Sequence, residues 1–183
     1  MRVLGIDPGS QTTGWGVIEG DARRYQLVEY GAIRTVAGGK FSTRLLNIAN
    51  DLEWVIARYT PEVCAVEEIF FAVNIKTALK LGHVRGVCLL AGERAGLEIH
   101  EYATRLVKQT VVGYGAAEKH QVQEMVRLLL KLARPPQPHD SADALAVAIC
   151  HMHHADSLLR ASKAEAQVKL ASLSQAAFRR RSR

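Results

Sequence analysis

The chain has 183 residues, 48% of them hydrophobic and 23% charged, a balance that gives one domain a real core and excludes a disordered chain. Its formal charge of +6 and sequence pI of about 9.4 point to a polyanionic partner, nucleic acid first, although a basic surface can also serve solubility alone. Three cysteines (Cys64, Cys88 and Cys150) lie far apart within apolar runs, which excludes a disulfide or zinc framework and fits core residues in a reducing compartment. The apolar run after Arg2 meets Asp7 too soon for a signal peptide, and no segment is long and apolar enough to span a bilayer, so a cytoplasmic protein is expected.

Arg2 to Asp7 reads as a short buried strand, Thr13 to Glu19 as a second and Tyr25 to Thr35 as a third. The short turns between them predict an antiparallel meander. After Gly38-Gly39, Ser42 is the expected N-cap of a helix with Leu45, Ile48, Leu52, Val55 and Ile56 on one face, ended by Pro61. Val63 to Glu68 is a compact apolar run ending in two carboxylates, a strand inside the sheet. A helix from about Asn74 to Ala95, a strand from Leu97 to Tyr102 and a helix resuming at Ala103-Thr104 follow, punctuated by Gly113 and Gly115. Glu118 to Ala133 is a strongly amphipathic helix, and beyond the prolines at 135, 136 and 138 a last helix runs from about Asp140 to His151. The order β-β-β-α-β-α-β-α-α-α predicts an α/β fold with a five-stranded mixed sheet flanked by helices. Residues 1–156 are expected to form one domain and 157–183 a basic, Ala/Ser-rich tail, partly helical or disordered.

The carboxylates carry the chemistry. Asp7 ends an apolar strand just before the Pro8-Gly9 turn, and a charge there is costly unless a cation or phosphate accompanies it. Glu67 and Glu68 end what should be a neighbouring strand, and periodicity does not choose between them. Asp140 and Asp143 share one face at a helix start. Each has a plainer reading, as a helix cap, a salt-bridged strand end or an Asx turn. Together, converging carboxylates make a site for Mg²⁺ or Mn²⁺, and two such ions can drive phosphodiester cleavage.

The segments GIDPGSQTTGWGVI, AVEEIFFAVN, ALKLGHVRGV, RLVKQTVVGYGAAEKHQVQ and DSADALAVAI occur in that order between Val3 and Ile149. In these the chain closely resembles the RuvC family of bacterial Holliday-junction resolvases, over roughly Val3 to His151. The resemblance implies a ribonuclease-H-like fold, a homodimer, and metal-dependent nicking of opposed strands at four-way junction DNA. It places the catalytic, metal-holding carboxylates on Asp7, Glu67, Asp140 and Asp143, with two Mg²⁺ per site or Mn²⁺ in their place. It marks Lys108 and Lys119 as phosphate contacts and Phe70 as an aromatic that stacks at the opened junction. Some relatives carry His where Asp140 stands, which leaves a role open for the neighbouring His139. It also implies RuvA and RuvB branch-migration proteins as partners.

The helix bearing Lys76 and Arg85 is the candidate dimer interface with a flanking DNA groove. His151, His153 and His154, beyond the matched motif, are expected to be solvated. Three other readings compete. An actin-like or sugar-kinase ATPase shares the opening turn but needs a second domain. A non-catalytic nucleic-acid module has no use for four carboxylates, and a ribonuclease-H relative cutting a structured RNA is the serious runner-up.

Overall fold

The computed structural model describes residues 1–68 and 74–155. β1 (Arg2–Asp7), β2 (Thr12–Gly20) and β3 (Tyr25–Arg34) form the antiparallel meander. α1 (Phe41–Tyr59) leads to β4 (Val63–Glu68), and α2 (Ile75–Arg94) leads to β5 (Glu98–Ala103). α3 (Thr104–Val112), α4 (Lys119–Leu129) and α5 (139–155) follow. The sheet order is β3-β2-β1-β4-β5, with β4 parallel to both β1 and β5. The mixed five-stranded sheet and the element order are those expected.

β1 is central, and its Val3, Leu4 and Ile6 have no exposed surface. Its alternating side chains separate two cores. Val3 joins Ala65, Val107, Val126, Leu145 and Ile149 under α3, α4 and α5. Leu4 and Ile6 join Cys64, Val66, Ile48, Leu52, Val84 and Cys88 under α1 and α2. Helices on both faces leave the inner strands apolar throughout, which is why their sequences show no alternation.

Several local boundaries differ from expectation. α1 begins at Phe41 with Lys40 at its cap and no capping side chain, so Ser42 lies inside the first turn. Thr60, in a left-handed conformation, ends α1 just before Pro61. α4 spans Lys119–Leu129, its start closed by reciprocal bonds between Glu118 and Gln121, and the chain turns away at Lys131, whose φ is 55°. α5 continues past His151 through residue 155, which carries His151 into the core at 2% exposure. The expected solvated role is therefore wrong for His151, which hydrogen-bonds to Tyr102 Oη through Nδ1 at 2.8 Å. His154 is half-buried against Thr110. Phe70 and the tail from residue 156 lie outside the described residues.

Candidate active site

The period of the strands sets which carboxylates meet. In β1, Val3 and Gly5 face α5, so Asp7 does too. In the parallel neighbour β4, Val63 and Ala65 share that face, and the next residue on it is Glu67. Glu68 points to the opposite side. The pairing of Ile6 with Val66 puts Asp7 and Glu67 side by side at the strand ends.

Glycines bring the third element in. Asp7 pairs with Gly14 of β2, and a Cβ on Gly14 would stand 1.9 Å from the Asp140 carbonyl oxygen. A Cβ on Gly5 would stand 2.1 Å from the Ala144 carbonyl oxygen. Only a bare backbone lets α5 lie this close to the sheet. The helix reciprocates with small, fully buried Ala144 and Ala148. Ser141, also fully buried, donates from Oγ to the Gly31 carbonyl at 2.8 Å and pins the first turn of α5 to β3. That turn carries Asp140 and Asp143. Thr13 Oγ1 donates to the Gly9 carbonyl at 2.9 Å and fixes the turn that follows Asp7.

The electrostatics report convergence. Asp7's carboxyl is held well above the ordinary range, first by burial, then by the charges of Glu67 and Asp143, a hydrogen bond with Glu67, and Asp140. Asp143 is pushed up to about 6 by burial, opposed by Lys119, with Glu67 and Asp140 adding to the rise. Among the described residues no three His, Cys, Asp or Glu side chains are gathered closely enough to hold a metal ion as they stand. The four carboxylates share one field without forming a closed cage, and like charges at low dielectric resist closing further.

A cleft of about 820 Å³ opens over Asp7 and Glu67. Asp7, Glu67 and Glu68 line it together with Arg105, Lys108 and Lys119. Lys119 Nζ stands 3.8 Å from Asp143 Oδ2. Lys108 is half-buried on α3, whose first residue, Thr104, also reaches the cleft, as does Ala103 at the end of β5. The structure thus gathers Asp7, Glu67, Asp140, Asp143, Lys108 and Lys119. His139 is exposed at the start of α5 and contacts Gln123 Nε2 through Nδ1, tied back toward α4. Arg85 and Lys76 lie outside this cleft, Arg85 paired with Glu101. Sequence reasoning missed Ser141 and Arg105. Ser141 stood inside the quoted DSADALAVAI segment, and a serine between two carboxylates at a helix start was the available signal. Arg105 opened the quoted RLVKQ segment but drew no separate notice.

The sequence and the fold are both similar to those of known proteins. A family model described as crossover junction endodeoxyribonuclease RuvC matches residues 3–151. A Chloroflexus aggregans protein named crossover junction endodeoxyribonuclease RuvC is 53% identical over 160 residues, covering 87% of this chain and 98% of its own length. The one from Heliobacterium modesticaldum is 56% identical over 153 residues, covering 84% and 94%. Among solved structures, Thermus thermophilus RuvC in complex with a Holliday junction substrate is 36% identical, with a TM-score of 0.80 over 85% of this chain and 94% of that one. Yeast mitochondrial Holliday junction resolvase Ydc2, 14% identical with a TM-score of 0.60, shares the fold. With the family model, these relatives and the sheet order in agreement, the chain belongs to the RuvC family of crossover junction endodeoxyribonucleases.

Proposed function

We propose that this chain resolves four-way DNA junctions by paired, symmetric, metal-dependent nicks in opposed strands, during recombination and repair. The observation that carries the reading is the convergence of carboxylates from β1, β4 and α5 beside a cleft that Asp7, Glu67, Lys108 and Lys119 line together.

The residues fit divalent cations. All four candidate ligands are carboxylates, the hard oxygen donors that Mg²⁺ and Mn²⁺ favour. Burial first, and then their mutual repulsion, raises Asp7 and Asp143, an imbalance that positive charge relieves. Asp7, Glu67, Asp140 and Asp143 would hold the ions, two Mg²⁺ per site or Mn²⁺ in their place. When bound, such ions polarise the phosphate and lower the pKa of a water. Lys108 and Lys119 hold the phosphate and offset the charge that grows on it as the bond breaks. Ser141 and Gly14 act through α5, holding Asp140 and Asp143 at the strand ends. Phe70 supplies the stacking surface at the junction centre.

Paired nicks need two clefts. Ile75, Leu79 and Leu90 of α2 are 79%, 59% and 53% exposed, and a Cβ on Gly82 or Gly86 would meet nothing within 4 Å. At this spacing they form one open apolar face with a smooth centre. A two-fold axis there makes a homodimer with one site for each opposed strand. RuvA and RuvB proteins would present the junction. Among the described residues no helix is long and apolar enough to cross a membrane, which suits work on DNA in the cytoplasm.

The test is cleavage of a labelled four-way junction beside a linear duplex, in EDTA, Mg²⁺ or Mn²⁺, by the wild type and Asp7→Asn. Paired nicks that require metal and Asp7, with the duplex left whole, support the reading. Nicking by pure D7N, or cleavage confined to RNA-containing junctions, overturns it.

A further inference from the structure

Of the three cations that line the cleft, Arg105, Lys108 and Lys119, only Arg105 has no assigned role. It is the second residue of α3 and is exposed. α3 ends at Gly113, in the left-handed region with φ of 98°, and the chain doubles back to lay Gly115 against the Arg105 stem. A Cβ on Gly115 would come 2.5 Å from Arg105 Cγ and 3.2 Å from its Nε. The stem therefore lies across a surface that only glycine leaves free. Both residues line the cleft.

The arginine is fixed but unengaged. Arg2, Arg85, Arg94 and Arg127 each pair with a glutamate: Glu19, Glu101, Glu53 and Glu124. Among the described residues Arg105 holds no such partner, although Glu68 lines the same cleft. A planar guanidinium with its stem already packed loses little freedom on gripping a phosphate with two parallel bonds.

We propose that Arg105, cradled by Gly115, is a contact for a backbone phosphate flanking the one that is cut, and so sets where the strand lies in the cleft. This rests on the junction-cleaving reading of the site and deepens it.

The experiment measures binding of a labelled synthetic four-way junction to D7N protein across a salt series. Arg105→Gln keeps the stem on Gly115 and removes the charge, so the slope of log K against log salt should fall by about one unit, the signature of one lost phosphate contact. Arg105→Lys should restore the slope but not the full affinity. Gly115→Val should weaken binding when Arg105 is present and add nothing to R105Q, because both changes remove the same contact. Melting curves matched to D7N show that each variant folds. An unchanged slope in R105Q overturns the phosphate contact, and an equal Gly115→Val penalty in both backgrounds overturns the cradle. Absence of junction binding by D7N itself at every salt concentration overturns the underlying reading of the site, and this inference with it.

Discussion

The two ends of α5 press ionisable groups against the same sheet, with opposite results. Toward its C-terminal end, Cys150, His151 and His154 meet Tyr102, His100 and Thr110, and partners are found. Tyr102 Oη and His151 Nδ1 are 2.8 Å apart, Thr110 Oγ1 and His154 Nε2 are 3.3 Å apart, and Cys150 Sγ donates to Thr110 Oγ1 at 3.6 Å. His100 turns its Nε2 to Glu98 at 2.8 Å. At the N-terminal end, Asp140 and Asp143 join Asp7 and Glu67, and Lys119 at 3.8 Å from Asp143 is the ion pair that answers them. Polar groups that satisfy one another make structure. Polar groups that repel one another are kept only where something outside the chain completes them.

The largest expected effect breaks the acidic end. Asp7→Asn should abolish nicking while leaving junction binding, since it removes one negative charge without changing shape; a gel-shift beside the cleavage assay reads both. Glu67→Gln should also abolish nicking, whereas Glu68→Gln should retain it, because strand alternation turns Glu68 away from α5. Equal losses in the two variants would mean that the alternation does not choose between them.

Next comes the contact that brings the acidic end together. Gly14→Ala drives a methyl into the Asp140 carbonyl, 1.9 Å from where the Cβ must stand, so α5 has to shift. Overpacking of this kind costs about 1–3 kcal/mol, and a denaturant titration should show it together with loss of nicking.

The smaller effects fall at the histidine end. Tyr102→Phe strands the buried Nδ1 of His151 and should cost about 1–3 kcal/mol, with the nicking rate kept. His151 is held down to about 4 by burial first and then by the charge of His100, while Glu98 pulls the other way and His154 adds to the lowering. A histidine depressed in the folded state takes up its proton more readily when unfolded. Its contribution is neutral above the ordinary histidine value and destabilising as pH falls from there toward about 4. His151→Gln should flatten that part of the stability–pH curve, read by urea titration between pH 7 and 4.

Much of this contrast was legible in the sequence, for physical reasons that differ by residue. β1 announced itself because an apolar run must stop at Asp7 and turn on Pro8-Gly9. The antiparallel meander of β1, β2 and β3 followed from the short turns between them. Glu67 could not be separated from Glu68 by pattern, because β4 is covered on both faces and its residues carry no alternation; only its register with β1 decides. Ser141 and Gly31 lie 110 residues apart, and a contact across that distance leaves no local signal. His151 was misjudged because the end of α5 was set too early, and one further turn of helix decides whether its imidazole faces water or Tyr102. Arg105 and Gly115 meet across a chain reversal, where neither residue alone suggests the other.

The central claim is that the acidic end is held in repulsion and completed by a cation. Melting of the wild type and D7N in EDTA and across a Mg²⁺ titration tests it most directly. The account predicts that D7N melts higher than the wild type in EDTA, that Mg²⁺ raises the wild-type melting temperature, and that most of this rise is lost in D7N. A D7N protein less stable than the wild type in EDTA, with an undiminished response to Mg²⁺, would contradict it.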